Sequence, residues 1–231
     1  MDSDIAVKVD SSIDSLHPKW SGRREKKMDR TNRTRQLALA SFFLAIETIM
    51  AITPIGFIPV GVIRITTMHI PVLLASLVMG PKWGAMIGFV FGLSSMLKAT
   101  FAPNITSFCF SPFITIGGVS GNFSSILIAF GPRILLGVLP YYMNKALCAH
   151  RCAPTLAAGI TAGVNTFIHT ILVMGMIGVF FGTQYAQAAG ITVGAVILTV
   201  LASNGILEIL LAAIVIPALV RALSVFMNKK G

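Results

Sequence analysis

Apolar residues run along most of this chain in long, continuous segments that lack the polar faces of soluble helices. A helix that crosses a bilayer needs about 20 such residues. The segments predict six transmembrane helices, at about 36–52, 66–79, 82–97, 123–147, 154–182 and 191–219. The second and third are short, and short segments beside irregular backbone occur where protein covers them or a cavity opens. The predicted fold class is therefore an all-α membrane protein, a six-helix bundle.

The first 35 residues differ from everything that follows. They are polar and basic, with six of the eight acidic residues and nine of the 18 Lys and Arg residues. A segment of this composition has too little apolar surface to fold alone. We therefore expect a cytoplasmic tail over 1–35, disordered over 1–27, ahead of a membrane domain over 36–231.

Four glycines stand at four-residue intervals around the third segment, at Gly80, Gly84, Gly88 and Gly92. This spacing places them on one face of a helix. In water, each internal glycine costs about 1 kcal/mol of helix stability relative to alanine. In lipid, a face of small residues lets two helix backbones approach closely. The glycines therefore predict a tightly packed helix pair within a membrane bundle.

The distribution of cations predicts the orientation. With the N-terminus in the cytoplasm, 15 Lys and Arg residues fall on the inner side, and only Arg64, Lys98 and Arg133 fall on the outer side. Inner loops of membrane proteins are enriched in these residues, so both termini are predicted inside a cell membrane. The net charge of +10 lies at one membrane face and does not indicate nucleic-acid binding.

Two irregular stretches separate the predicted helices. Pro54, Gly56, Pro59 and Gly61 break the chain after the first helix and predict an apolar loop. A polar and aromatic loop covers 100–122. Its aromatic side chains fit either a belt at the membrane interface or a lid over a ligand. They are Phe101, Phe108, Phe110 and Phe113.

Motifs of enzymes and metal sites are weak or absent. No G-x-x-x-x-G-K-[ST] phosphate loop is present, so no ATP hydrolysis is expected by that route. Cys148, His150 and Cys152 do not have the spacing of a zinc site, and we expect reduced thiols, no metal and no cofactor. The sequence G-V-S-G around Ser120, with His169 on a later helix, is similar to the dyad of rhomboid proteases. The alternative is a flexible loop, since a short motif rich in small residues is a weak signal.

Ionisable and amide side chains within the predicted helices are costly in lipid and usually functional. Asn165 and His169 form an i,i+4 pair in the fifth helix, and Asn204 and Glu208 form another in the sixth. At a rise of about 1.5 Å per residue, Arg133 lies about 15 Å below the outer start of its helix. One outer cavity could collect these groups. The candidate ligand-binding residues are Arg64, Thr67, His69, Lys98, Arg133, Asn165, His169 and Asn204.

Each of these groups also has a structural interpretation. Arg133 can pair with Glu47, which also lies near the middle of the membrane, and Asn165 with His169 can join neighbouring helices. Glu208 lies deeper and is interpreted as structural or interfacial. If the outer cations serve a ligand instead, their surplus of about two positive charges suits an anion. A guanidinium holds a carboxylate through two parallel hydrogen bonds.

The stretch GFIPVGVIRITTMHIPVLLASLVMGPKWGAMIGFVFGLSSMLKATFAP, followed by SFCFSPF and by PRILLG at 132–137, resembles a known family. It is similar to the substrate-binding S subunits of energy-coupling-factor (ECF) vitamin transporters, over about residues 28–228. Among subfamilies it looks most like the pantothenate type, with the hydroxymethylpyrimidine and folate types close behind.

The resemblance implies a subunit that captures a vitamin outside the cell and then topples within a complex. Its partners would be a transmembrane coupling protein and two ATPase subunits, which would supply the energy. The first helix of the family carries an A-x-x-x-A coupling face. The nearest match here is Ser41-x-x-x-Ala45, with Ala38 one turn earlier. These three residues are the predicted coupling interface.

Overall fold

The computed structural model describes residues 18–60, 63–104, 106–190, 192, 194–195, 198 and 205–228. Contacts divide the chain into two compact units, 1–41 and 42–231. The helices of the described residues are α1 Pro18–Ile52, α2 His69–Met79, α3 Pro81–Phe101, α4 Phe123–Ala149, α5 Pro154–Ala189 and α6 Ile206–Asn228.

The helices have the length and surface of membrane-crossing segments. Four are long and apolar enough to span a bilayer, over Arg33–Ile52, Pro81–Phe101, Phe123–Ala149 and Pro154–Gln187. Large apolar side chains cover their outer faces, and α5 shows this as a continuous line. The line comprises Leu156, Ile160, Val164, Phe167, Ile171 and Val179. Lipid solvates such a surface and water does not, so the prediction of an all-α membrane protein is confirmed.

Several helix bounds differ from those predicted. Helix α1 begins at Pro18 rather than near 36, because Arg, Lys and Glu in this polar segment favour helix. Residues 18–27 are described as part of this helix and residues 1–17 lie outside the described part, so the disorder expected for 1–27 stays a prediction. Helix α3 reaches Phe101 and has 21 residues, so it is not short. The start of the sixth predicted segment, at 191–205, falls mostly outside the described residues.

Both irregular stretches contain β-hairpins that the sequence reasoning treated as loops. After α1, a 3-10 turn at Pro54–Gly56 leads into β1, Phe57–Val60, and β2, Ile63–Thr66. These strands pair antiparallel, with Phe57 opposite Thr66, and their β-branched residues suit strands. The aromatic loop contains a 3-10 turn, Ser107–Cys109, and two short strands. These are β3, Thr115–Ile116, and β4, Val119–Ser120, joined through two glycines with positive φ.

Three of the four spaced glycines bring α3 against the backbone of α4. A methyl group built on Gly88 would overlap the carbonyl oxygen of Arg133. One built on Gly84 would overlap the carbonyl oxygen of Gly137, and one on Gly92 would lie 2.8 Å from that of Ala129. We call this contact the glycine seam: Gly84, Gly88 and Gly92 on α3, against Gly137, Arg133 and Ala129 on α4. Its close approach fixes the position of the α4 backbone.

Gly80 departs from the other three glycines. It lies between α2 and α3, outside the helical face, with a φ of 94°. The carbon nearest to a methyl group built there belongs to the Tyr141 ring, 4.0 Å away. Gly80 therefore serves the break between two helices, because a positive φ is easily adopted only without a side chain.

Helix α2 is short because protein, rather than lipid, surrounds it. Met68, Val72, Leu73 and Ala75 are completely buried, and the core around them includes residues from α3, α4, α5 and α6. A second core lies beneath the aromatic loop, where Phe108 and Cys109 pack on α4 and α5. Burial there raises the pKa of the Cys109 thiol, which is consequently uncharged.

Candidate ligand site

Arg133 is the central residue of the candidate site, and its backbone and side chain have different roles. Its carbonyl group belongs to the glycine seam, while its guanidinium reaches into the bundle, and the residue as a whole is only 6% exposed. The guanidinium carbon lies 5.2 Å from the ring centroid of Phe91 and 5.1 Å from that of Phe110. Two such cation–π contacts hold the group between aromatic faces.

The hydrogen bonds of the guanidinium are incomplete. Nη1 donates to the carbonyl oxygen of Ile128 at 2.6 Å, within the same helix. The buried Nε has no hydrogen-bond partner among the described residues. Buried polar groups in folded proteins are nearly always paired, with protein, water or ligand. The unpaired guanidinium N–H is therefore suited to donate a hydrogen bond to a ligand oxygen.

Glu208 on α6 is the carboxylate that interacts electrostatically with Arg133. Its Oε1 accepts a hydrogen bond from the backbone N–H of Thr66 at 2.7 Å, which ties α6 to the end of β2. The hydrogen bond to Thr66 gives Glu208 a structural role, and the interaction with Arg133 also makes it part of the candidate site. Glu47, the residue predicted to pair with Arg133, is completely buried, and neither of its oxygens has a hydrogen-bond partner in the described part of the chain.

Two histidines complete this group. The ring of His169 on α5 lies 6.1 Å from that of Phe91, and the imidazole interacts electrostatically with Arg133 and with His69. His69, at the start of α2, lies beside the backbone of Thr66 and Glu208. Both ring nitrogens of His69 and Nε2 of His169 lack hydrogen-bond partners of good geometry among the described residues.

Four helices therefore bring Arg133, His69, His169 and Glu208 together, with Phe91 and Phe110 as aromatic walls. We call these four titratable residues the polar cluster. A guanidinium and two imidazoles with unused nitrogens offer donors and acceptors in a low-dielectric surrounding. The arrangement can bind a small molecule that carries a carboxylate together with hydroxyl or amide groups.

Other predicted ligand-binding residues lie elsewhere. The Asn165 amide donates to the carbonyl oxygen of Thr161 at 2.8 Å and to the sulfur of Met143 at 3.3 Å. Asn165 thus joins α5 to α4, which is the structural alternative for this residue. The hydroxyl of Thr67 donates to the carbonyl oxygen of Ile55 at 2.6 Å and closes the turn before β1.

The two other predicted outer cations, Lys98 and Arg64, belong to α3 and β2 rather than to α4. Nζ of Lys98 lies 3.4 Å from the carbonyl oxygen of Ala51, near the end of α1. Arg64 lies in β2, opposite Pro59, and its side chain is outside the described part. Asn204 is outside the described residues altogether. Of the eight predicted residues, the polar cluster contains His69, Arg133 and His169.

Sequence reasoning missed Phe91 and treated the aromatic loop as one group. The loop residues in fact divide: Phe108 is completely buried and Phe110 contacts Arg133, whereas Phe101 and Phe113 are exposed. A signal for Phe91 was present in its spacing. It stands three residues after Gly88, the residue that contacts Arg133, and so lies next to the seam on the same helix.

The described residues show no geometry that matches the two alternative chemistries, a serine protease and a metal site. Ser120 is exposed on β4, and its hydroxyl lies 2.8 Å from that of Thr115, whereas His169 packs against Phe91 inside the bundle. Within the described residues, no group of three His, Cys, Asp or Glu side chains could hold a metal ion.

The residues predicted for coupling, Ala38, Ser41 and Ala45, are all exposed on α1.

Comparison with known proteins shows similarity over most of the chain. The model of the family described as "ECF transporter, substrate-specific component" matches residues 35–220. The Pantothenic acid transporter PanT of Lactococcus lactis subsp. cremoris is 34% identical over 194 residues, which cover 83% of this chain and 96% of that protein. The Pantothenate transporter PanT of Leuconostoc mesenteroides subsp. mesenteroides is 26% identical over 210 residues, covering 87% and 97%.

Proposed function

The chain belongs to the family of substrate-specific components of ECF transporters, and we propose that its substrate is pantothenate. It is a multi-pass cell-membrane transport protein and not an enzyme. Its role is to capture a water-soluble vitamin, which the complete transporter then imports. Two relatives that cover most of the chain carry pantothenate in their names, and they support this choice of vitamin.

The observation that carries the choice is the buried guanidinium of Arg133. Pantothenate is a small monoanion with hydroxyl and amide groups. The unpaired Nε of Arg133 offers a donor to its carboxylate, and charge-assisted bonds of this type are about twice as strong as neutral ones. The unused nitrogens of His69 and His169 can bond the hydroxyl and amide groups. Hydroxymethylpyrimidine, the neutral alternative, would gain little from the guanidinium.

We further infer six membrane crossings with both termini in the cytoplasm. Helices α2 and α6 join the four long apolar helices, and the excess of cations on the inner side supports this direction. The exposed Cys148 then faces the cytoplasm. In a Cys152→Ala background, a membrane-impermeant thiol reagent should label Cys148 only after the cells are permeabilised. Labelling of intact cells would reverse the orientation. Cys109 is buried and uncharged, so it should not react in either case.

Energy for import comes from partner subunits in this proposal. The chain has no phosphate loop, and its family implies a transmembrane coupling protein with ATPase subunits. The α1 stripe, which we define as Ala38, Ser41 and Ala45, is exposed and presents small side chains to a partner helix. Small residues permit the close approach on which helix association in lipid depends. We place the coupling contact there.

Calorimetry on the purified, detergent-solubilised chain tests the proposed substrate. Pantothenate should bind, and pantothenol, which replaces the carboxylate by an alcohol, should bind at least tenfold more weakly. This difference corresponds to about 1.4 kcal/mol, the lower range for a hydrogen bond to a charged group. Equal affinities would remove the role of the guanidinium. Tighter binding of hydroxymethylpyrimidine or folate would transfer the assignment to that vitamin.

A further inference from the structure

The aromatic loop reaches the guanidinium of Arg133 through one side chain, Phe110. The centroid of the Phe110 ring lies 5.1 Å from the guanidinium carbon. Phe110 directly follows the 3-10 turn Ser107–Cys109, and its backbone N–H donates to the carbonyl oxygen of Ser107 at 3.0 Å. The place of the ring over the guanidinium therefore depends on the contacts that hold this turn.

Ser125, in the first turn of α4, makes one of these contacts. Its completely buried hydroxyl donates to the carbonyl oxygen of Phe108 at 2.7 Å, across 17 residues of chain. Ser125 stands eight residues before Arg133 on the same helix, which is about 12 Å along the axis. One helix thus carries both the guanidinium and the hydroxyl that holds the turn before Phe110.

A second contact holds the residue after Phe110. The hydroxyl oxygens of Ser111 and Thr100 lie 2.7 Å apart and share a hydrogen bond, which ties the loop to the end of α3. The backbone of Ser111 also packs closely on Gly121, where a methyl group would overlap the Ser111 carbonyl oxygen. Phe110 is consequently fixed on both sides, by Ser125 before it and by Ser111 after it.

We propose that Ser125 is a positioning residue for ligand selectivity: by holding the Phe108 carbonyl, it keeps the Phe110 ring on the guanidinium of Arg133, and the guanidinium in turn favours a carboxylate over an alcohol. This inference rests on the proposed function. Ser125 acts through Phe110 and is not itself assigned a contact with the ligand.

The selectivity follows from the surroundings of the guanidinium. Nη1 is already bonded to the carbonyl oxygen of Ile128, and aromatic rings contact the guanidinium carbon. The unpaired Nε therefore meets a ligand where water is excluded, and charge-assisted bonds are strongest in such a place. If Phe110 moves away, water reaches the guanidinium, and exposed ion pairs are worth little. A neutral alcohol depends less on this charge and should lose less affinity.

Calorimetry on Ser125→Ala tests the inference. We define the selectivity as the Kd for pantothenol divided by the Kd for pantothenate. From its value of about ten or more in the unaltered chain, it should fall at least about threefold in Ser125→Ala, mainly through weaker binding of pantothenate. A protein that had only lost stability would keep this ratio. An unchanged ratio in folded Ser125→Ala would overturn the inference.

Asn122→Ala is the matched control for the end of the helix. Asn122 and Ser125 also cap α4: the Asn122 side chain accepts from the backbone N–H of Ser124 at 2.8 Å, and the Ser125 hydroxyl accepts from that of Asn122 at 3.1 Å. Asn122→Ala removes the first of these bonds and leaves the contact between Ser125 and Phe108 in place. It should lower stability, as the loss of a cap does, with no change in selectivity. An equal fall in selectivity in Asn122→Ala would assign the effect to the cap and contradict the inference.

A second pair of variants tests the ring itself. Phe110→Leu should lower the selectivity at least as far as Ser125→Ala, whereas Phe113→Leu, at an exposed phenylalanine of the same loop, should leave it unchanged. An unchanged ratio in Phe110→Leu would overturn the inference. If Ser125→Ala does not fold, Ser125→Cys takes its place, since a thiol is similar in size and a weak donor. Failure of both to fold would make Ser125 a requirement of the fold, against the inference. The absence of pantothenate binding to the unaltered chain would instead overturn the proposed function.

Discussion

Two stripes of small residues in this chain share one sequence signature and have opposite surroundings. In the glycine seam, Gly88 meets the backbone of α4 so closely that even a methyl group would overlap the Arg133 carbonyl. In the α1 stripe, the small residues are exposed, among large exposed apolar neighbours such as Ile49 and Ile52. The first stripe is already used within the chain, and the second is available.

The difference shows what the small-xxx-small pattern predicts and what it leaves open. Both stripes mark a place where two helix backbones can approach closely in lipid. The pattern does not say whether the second helix belongs to the same chain. The surroundings provide that information, and they separate a contact needed for folding from one that suits a partner subunit.

A large side chain in the glycine seam should have the largest effect on folding. Gly88→Leu places a side chain where the Arg133 carbonyl lies, so α3 and α4 must separate. Overpacking of a core costs typically 1–3 kcal/mol, and a clash with backbone should exceed that range. We expect little or no folded protein, measured by size-exclusion chromatography of a fluorescent fusion. Gly175→Leu on α5, where a methyl group meets no atom within 4 Å, is the matched control. Normal yield of Gly88→Leu would show that the seam can open.

Bulk in the α1 stripe should abolish transport without affecting capture. Ser41→Leu with Ala45→Trp should leave the Kd for pantothenate within a factor of about two, since exposed substitutions usually change stability by less than about 0.5 kcal/mol. Vitamin uptake by cells that contain the complete transporter should be lost. Ile214→Trp, on the exposed face of α6, controls for bulk in lipid. Loss of binding together with transport would place the stripe inside the subunit's own packing.

Truncation of Arg133 should show that the glycine seam and the polar cluster have independent roles. Arg133→Ala keeps the backbone carbonyl that packs on Gly88 and removes only the guanidinium. The affinity for pantothenate should fall by about 2–5 kcal/mol, as when one partner of a buried charge pair is removed. Arg133→Lys should recover only part of this loss, because a lysine cannot bond a carboxylate through two parallel hydrogen bonds.

The measurement is calorimetric, with Lys145→Ala as a control at an exposed cation of the same helix. An unfolded Arg133→Ala protein would mean that the guanidinium supports the fold. In that case the double variant Glu47→Gln with Arg133→Gln should restore folding if Glu47, rather than a ligand, is what Arg133 serves.

Asn165→Ala should have the smallest effect and concerns a hydrogen bond outside both stripes. The amide bonds Thr161 and Met143, so its removal should lower the free energy of unfolding by about 0.5–1.5 kcal/mol. The affinity for pantothenate should stay the same. Thermal unfolding and calorimetry check the two parts. A tenfold loss of affinity would show that Asn165 binds the ligand, as the sequence predicted.

The sequence predicted the elements of this fold better than their partners. Long apolar runs located the helices, and glycine spacing located the seam, because both are local patterns. The hairpin at Phe57–Thr66 was not predicted, since Pro59 and the glycines around it resemble a loop until two strands pair. Gly80 fits the four-residue spacing, but its backbone conformation depends on the turn between α2 and α3.

The candidate site was predictable only in part, for a related reason. The cost of burial in lipid identified Arg133 and His169, and His69 was selected for its place near the outer rim. Which carboxylate lies near Arg133 depends on the rotation and depth of whole helices, and the sequence reasoning named Glu47 because Glu208 was expected to lie deeper. Phe91 appears apolar and ordinary in the sequence, and its contact with the guanidinium arises from the packing of α3 on α4.

Residue 133 gives this scaffold a means of evolutionary divergence. Its main chain is held by Gly88, so the position of its Cα does not depend on which side chain it carries. An exchange of this one side chain could alter the charge that the cavity recognises while the helix pair remains unchanged. Related proteins could bind a different nutrient through substitutions at 133 and 208, without any change of fold.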